Sequence, residues 1–174
     1  MPKSPEDLLD ILKSLDVAAT TFDHEPVMTV EESRRLRGLI PGLHAKNLFL
    51  KDKKGQLWLV TAEEDRVVDL KRLRRQLDAA TLSFAKADVL WDALGVRPGS
   101  VTPFAVVNDA DGRVRVALDR ALAEAGRASF HPLDNARTTT VSGADLLRFL
   151  EAHGHAPVIV TFSELGGDAE PSTP

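Results

Sequence analysis

Between Asn47 and Thr61 the chain reads Asn-Leu-Phe-Leu, then Lys-Asp-Lys-Lys-Gly-Gln, then Leu-Trp-Leu-Val-Thr. Two apolar runs, each too short for a stable helix, are separated by a polar turn that contains glycine, and that order predicts an antiparallel hairpin. A second hairpin is expected over residues 105–119, Ala-Val-Val-Asn-Asp-Ala-Asp-Gly-Arg-Val-Arg-Val-Ala-Leu-Asp, around its Asp-Gly pair. A third strand pair is expected in 128–142, with its turn at Pro132–Asn135 and a threonine-rich return, and Pro157–Phe162 reads as a last buried strand.

Helical signals alternate irregularly with these strands. Ser4, Pro5 and Asp7 form a capping signature ahead of Leu8, Leu9, Ile11, Leu12 and Leu15. Thr29 with Glu32 repeats it, and in the helix this opens Arg34 and Arg37 are expected on the side opposite Leu36 and Ile40. Further helices are predicted over 69–77, over 87–94 with Gly95 as the stop, and after Ser142 and Asp145. Hairpins mixed with helices, without a regular βα series, predict an α+β fold. The expectation is one compact domain over residues 1–165, with a mixed β-sheet flanked by helices, and a disordered small-polar tail over 166–174.

Composition removes several functions. The chain has 174 residues and no cysteine, so disulfides, thiolate metal sites and cysteine nucleophiles are excluded. The start carries acids inside its apolar pattern, unlike a secretory signal, and no stretch approaches the roughly 20 apolar residues of a membrane span. Net charge is −4, yet Glu31–Lys54 holds seven basic and three acidic residues, and Lys71, Arg72, Arg74 and Arg75 form a second cluster. Positive charge is local on an acidic body.

Standard catalytic signatures are missing: no dinucleotide fingerprint, no P-loop, no Gly-x-Ser-x-Gly elbow and no His-Glu-x-x-His pair. His153 and His155 read as helix-end caps, the cluster Asn108, Asp109 and Asp111 as turn chemistry, and Glu63, Glu64 and Asp65 as a wet turn. Three segments are less easily explained by packing. Lys46 and Asn47 bring an ammonium and an amide to the mouth of an apolar strand, where they could hold a phosphate or a carbonyl. Gly99, Ser100, Val101, Thr102 and Pro103 form a loop whose backbone a ligand could approach closely. His131 sits in extended chain before Pro132, with a ring able to donate or accept near neutral pH.

Taken in order, His24–Glu32 (His-Glu-Pro-Val-Met-Thr-Val-Glu-Glu), His44–Leu50 (His-Ala-Lys-Asn-Leu-Phe-Leu), Gly99–Phe104 and Phe130–Thr139 resemble the YbaK/ProX family of free-standing aminoacyl-tRNA deacylases. That family is related to the editing domain inserted in bacterial prolyl-tRNA synthetases, and the likeness spans roughly Pro5 to Phe162. Lysine followed by asparagine is closer to the branch that removes alanine from proline tRNA than to the branch that removes cysteine. The resemblance implies a partly barrel-like sheet, a cytoplasmic setting, no cofactor and no metal. It also implies a trans-editing hydrolase whose substrate is the acceptor end of tRNA(Pro) carrying a noncognate amino acid, with prolyl-tRNA synthetase as a further candidate partner and neither DNA nor a membrane involved. The family pattern maps its landmark lysine onto Lys46, its glycine and proline onto Gly99 and Pro103, and its histidine onto His131. Lys46, Asn47 and His131 are then the catalytic candidates, with His131 expected to support the pocket; Gly99–Pro103 shape that pocket, and Arg34, Arg35 and Arg37 meet the tRNA. Other small amino acids as the ester, and a noncatalytic domain that holds RNA or a synthetase, are the alternatives.

Overall fold

The computed structural model describes residues 1–26 and 30–164. Thr29, and with it half of the second capping signature, and the tail over 166–174 lie outside the described residues. The elements in order are helix α1 (Pro5–Ser14), strand β1 (Thr20–Asp23), helix α2 (Val30–Leu39), and strands β2 (Leu43–Asp52), β3 (Leu57–Glu63) and β4 (Arg66–Val67). Helix α3 (Leu70–Leu77), strand β5 (Leu82–Phe84), helix α4 (Ala87–Leu94), a 3-10 turn (Pro103–Asn108), strand β6 (Val114–Asp119) and helix α5 (Arg120–Ala123) follow. Strands β7 (Ala128–Phe130) and β8 (Arg137–Val141), helix α6 (Gly143–Ala152), and strands β9 (Val158–Val160) and β10 (Ser163–Glu164) complete the described chain.

The capping chemistry is largely where the sequence puts it. Ser4 and Asp7 exchange the two bonds of a capping box, Asp69 accepts from Lys71 N, and the Ser142 hydroxyl accepts from Asp145 N. Gly95 stops α4 in the left-handed region at φ 64°. The β2–β3 hairpin forms in register, Asn47 opposite Thr61 and Leu50 opposite Trp58, with Gly55 at φ 89° in its turn.

The second expected hairpin does not form. Pro103 lacks the N–H a ladder needs, and Thr102 caps a 3-10 turn by accepting from Phe104 N at 3.3 Å, so residues 103–108 leave the sheet. β6 instead pairs in parallel with β3 and with β9, while β7 and β8 form the antiparallel pair expected around Pro132. His155 is also more than a cap: it is buried, and its Nε2 lies 2.8 Å from the buried Asp109 carboxylate, which itself accepts from Arg113 N and Val114 N. That carboxylate therefore ties the start of β6 to the chain after α6.

The sheet is mixed, in the order β1-β8-β7-β2-β3-β6-β9, with β5 added to β2; β4 and β10 make a separate pair. Apolar side chains fill both of its faces. Phe49, Leu57, Leu59, Val116 and Leu118 pack with α1, α4 and α6 through Leu8, Leu12, Leu90, Leu94, Leu146 and Phe149. Leu50, Trp58, Val60, Ala62 and Ala117 pack on the other face with Leu73 and Leu77 of α3. Helices therefore flank a mixed sheet, as expected. The sheet centre has little freedom: Leu50, Leu59, Val60 and Leu118 are wholly buried, and each contributes about 1.5–3 kcal/mol by leaving water.

Candidate active site

β2 connects two groups of strands, because Leu43 and His44 pair in parallel with Ala128 and Ser129 of β7 while Ala45–Lys51 pair with β3. Where these pairings meet, a cavity of about 90 Å³ opens. His44, Ala45 and Asn47 of β2 form one wall, Ser129, Phe130, His131 and Thr138 another, and Leu36 of α2 with Glu64 closes the rim. The space suits a few small atoms and would not admit a nucleoside.

Hydrogen bonds fix the polarity of the groups around it. The Thr61 hydroxyl donates to Asn47 Oδ1 at 2.7 Å, which occupies the amide oxygen and leaves the amide N–H groups as donors on the cavity side of β2. His131 Nδ1 lies 3.0 Å from the Arg137 carbonyl oxygen; since a carbonyl only accepts, Nδ1 carries the proton and Nε2 keeps the lone pair. Burial lowers the His131 pKa, His24 adds to that, and the Arg137 carbonyl and Asp134 oppose it. A neutral imidazole acceptor is the result. His24 stands behind it, with ring centroids 6.5 Å apart and Nε2 2.8 Å from the Thr138 hydroxyl. The Ser129 hydroxyl is buried and has no hydrogen-bond partner among the described residues.

Glu64 corrects the reading of residues 63–65 as a wet turn. The Glu63 and Glu64 side chains are 14% and 17% exposed, and burial raises both carboxyl pKa values; only Asp65, at 61%, faces solvent in the expected way. Glu64 N donates to the His44 carbonyl, and its carboxylate lies 2.9 Å from Arg37 Nε, an ion pair outside hydrogen-bond alignment. Arg37 and His44 pull the Glu64 pKa back down against burial. Arg37 is therefore tied to the rim, with Asp65 also 3.7 Å away, whereas Arg34 and Arg35 are exposed on α2.

The nominated residues do not all converge. Asn47 and His131 line the cavity together. Lys46, their neighbour, belongs to the other face of β2, which it shares with Leu48 and Leu50, and its Nζ donates to the Arg66 carbonyl. None of Gly99–Pro103 lines the cavity. Gly99 takes φ 93° with nothing within 4 Å of the place a β-carbon would occupy, Ser100 N donates to Arg97 O, and Val101 packs on the core. The loop reaches the site through Phe104, whose ring meets that of Phe130 edge-on at 5.7 Å. Thr138 lies in the Phe130–Thr139 motif, whereas Glu64, Ser129 and Leu36 carry no signal of a site in their own sequence neighbourhoods; their convergence depends on the β2–β7 crossover.

Residues 24–149 match the sequence profile of the aminoacyl-tRNA editing domain. The chain belongs to this family, in its YbaK/ProX-like branch associated with prolyl-tRNA synthetase. Its curated relatives include the prolyl-tRNA synthetase associated domain-containing protein 1 of Danio rerio, 41% identical over 159 residues, covering 90% of this chain and 86% of that one. The prolyl-tRNA editing protein ProX of Acetoanaerobium sticklandii is 37% identical over 145 residues, covering 83% and 88%. Among solved structures, the hypothetical protein APE2540 shares the fold at TM-score 0.71 with 20% identity, over 90% of this chain and 99% of that one. No helix among the described residues is long and apolar enough to cross a membrane.

Proposed function

We propose that this protein is a trans-editing hydrolase that deacylates mischarged tRNA(Pro), with alanine as the preferred aminoacyl group. The observation that carries the reading is the small cavity in which an oriented amide donor, Asn47, faces a neutral imidazole acceptor, His131. Family membership supplies the substrate class, and ProX supplies the prolyl-tRNA context by its name. The Lys46-Asn47 pairing and the size of the cavity favour alanine over larger groups. A site sized for proline rejects a smaller amino acid by only about 1–3 kcal/mol, so a second, narrower pocket is the physical route to fidelity.

Hydrolysis of the ester needs little beyond placement and charge stabilisation. The oxygen of a water adds to the ester carbonyl carbon, the bond from that carbon to the ribose oxygen breaks, and the released hydroxyl takes up the water's proton. Asn47 donates to the oxyanion as it develops, in a site that is already oriented before substrate arrives. His131 Nε2 accepts from the attacking water or from a ribose hydroxyl and so fixes its direction, a supporting role that does not require full proton transfer. Lys46 meets a phosphate at the strand mouth by exchanging the Arg66 carbonyl for it. Gly99–Pro103 set the cavity's depth through Phe104 and Phe130. Arg34 and Arg35 offer charge to the acceptor end, and Arg37 holds Glu64 at the rim. Residues 1–165 act as one functional unit in a cytoplasmic setting, with a synthetase as recruiting partner.

A deacylation panel tests this: alanyl, cysteinyl, seryl and prolyl esters of tRNA(Pro), with alanyl-tRNA(Ala) as the cognate control. Turnover of the alanyl ester of tRNA(Pro) in preference to the rest is expected. No turnover of any ester at high protein concentration would overturn the assignment and favour a noncatalytic RNA-binding domain.

A further inference from the structure

A groove of about 530 Å³ lies at the far end of the β2–β3 hairpin from the cavity, between the hairpin turn, the C-terminal end of α3 and the start of β6. Lys54, Arg113 and Arg115 bring three positive charges to it, against the carboxylates of Asp52 and Asp78. Both arginines line the groove, but Arg113, just ahead of β6, is paired with Asp92 of α4 at 2.9 Å. The Arg115 guanidinium lies 4.5 Å from the centroid of the Trp58 ring, stacked on it, while the residue itself is exposed. Trp58 is almost wholly buried, and its indole N–H has no partner among the described residues.

Three features separate this groove from an ordinary solvated surface. Stacking on Trp58 holds the Arg115 plane in place, so little rotamer entropy remains to be lost when its free face and N–H groups meet a ligand. The Asp52 carboxylate, which lines the groove, already accepts from Lys54 N and Gln56 N within the turn, so it is committed to the hairpin. Beside the groove, α3 buries Leu73 and Leu77 and exposes Lys71 and Arg74, and Arg74 Nε donates to the carbonyl of Ala79 in the groove wall. This is the second basic cluster of the sequence, and the reaction at the cavity does not use it. In a chain of net charge −4, such a concentration selects for a polyanion.

Register gives the groove a position relative to the chemistry. Arg115 pairs with Trp58, and Trp58 with Leu50, which lies four residues beyond Lys46 on the same face of β2. At about 3.4 Å per residue that is roughly 14 Å along the strand, about four nucleotide steps of a duplex at 3.4 Å per strand charge. We propose that this groove is a second RNA-binding site, which grips the phosphodiester backbone several nucleotides away from the aminoacyl end. The choice of RNA as the polyanion rests on the aminoacyl-tRNA reading of the cavity; the groove's charge and stacked arginine do not.

The test compares the parent with a Lys54→Ser, Arg113→Gln, Arg115→Gln variant on two substrates, full-length alanyl-tRNA(Pro) and the alanyl ester of adenosine. Binding of uncharged tRNA is followed by fluorescence anisotropy between roughly 50 and 200 mM salt. Each lost phosphate contact lowers the salt slope by about 0.9 on duplex nucleic acid, so loss of two or three makes the fall in affinity across that range about 10- to 40-fold smaller, with the loss of binding greatest at the low-salt end. Expected are that loss, a matching fall in kcat/KM on full tRNA, and unchanged hydrolysis of the adenosine ester. An Arg113→Lys, Arg115→Lys variant should recover the salt slope but only part of the affinity. Should the triple variant unfold, Lys54→Ser alone, in the exposed turn, should still shift the slope by about one. Unchanged tRNA binding and slope in a folded variant would overturn the proposal, and would leave an acidic protein surface as the ligand to be sought. If the parent hydrolyses neither ester, the proposed function falls, while the binding titration still decides the groove.

Discussion

Replacing Asn47 with aspartate tests the proposed oxyanion site with little change of shape. Asn47→Asp keeps an oxygen for the Thr61 hydroxyl, which lies 2.7 Å from Oδ1 in the parent, but removes both N–H donors and places negative charge where the oxyanion forms. Loss of one preoriented donor costs about 10²- to 10³-fold in kcat, or about 2.7–4 kcal/mol. The new carboxylate sets its own negative charge against the developing oxyanion, so the upper part of that range is expected. Thr61→Val is the companion. It removes the bond that orients the amide, worth about 0.5–1.5 kcal/mol, and should cost no more than about tenfold. Single-turnover deacylation of alanyl-tRNA(Pro) and of the alanyl ester of adenosine, with Tm measured alongside, separates chemistry from binding and folding. A folded Asn47→Asp protein within about threefold of the parent on the adenosine ester would refute the role, being far short of the loss a missing donor brings. A Thr61→Val loss larger than that of Asn47→Asp would refute it as well.

Lys46→Ala should lose most deacylation of the tRNA substrate while Lys51→Ala, on the exposed part of the same strand, retains it; equal activity in both variants would remove Lys46 from the site. Gly99→Ala should lower Tm, because φ 93° is strained for any L side chain although no neighbour crowds the added methyl; a cost of about 1 kcal/mol or more is expected, and an altered KM at unchanged Tm would point to ligand contact instead. Hydrolysis should decline at acid pH as His131 gains a proton at its lowered pKa, and His131→Gln should abolish that limb of the profile. The same shift affects stability: the unfolded ring takes up its proton near 6.5 while the folded ring resists, so the His131 contribution is complete above that value and is lost as pH falls below it. Arg34→Glu should weaken tRNA use and leave the adenosine ester unaffected, whereas Arg37→Glu, which sets a second carboxylate against Glu64, should impair both substrates.

Local chemistry made much of the fold legible. Ser4, Asp69, Gly95 and Ser142 mark helix ends because each satisfies, or sterically permits, a backbone arrangement within a few residues of itself. The β2–β3 hairpin was readable for the same reason. Residues 103–108 were not, since Val106 and Val107 have strand propensity, and a proline with a threonine cap decided the geometry against them. The short strands β1 and β5 likewise escaped, because their pairing with β8 and β2 is nonlocal and nothing within three or four residues announces it.

The site divides along the same line. Asn47 and His131 could be nominated from residue type and family pattern, but Glu64 could not, because its burial comes from the packing of α2 against the end of β3 and from the Arg37 ion pair. Strand alternation was available in the sequence and has a consequence for mechanism. Lys46 and Asn47 are adjacent, so in one strand they must address opposite faces of the sheet. An ammonium and an amide so placed cannot crowd a single carbonyl. They can divide a long substrate between them, with the ester on the cavity face and the phosphate chain leading over the strand mouth to the other. Between Lys46 and the Arg115 groove that face is closed by α3 over the buried Leu50, Val60 and Ala62, so a phosphate chain held at both ends has to pass around α3 rather than along β2.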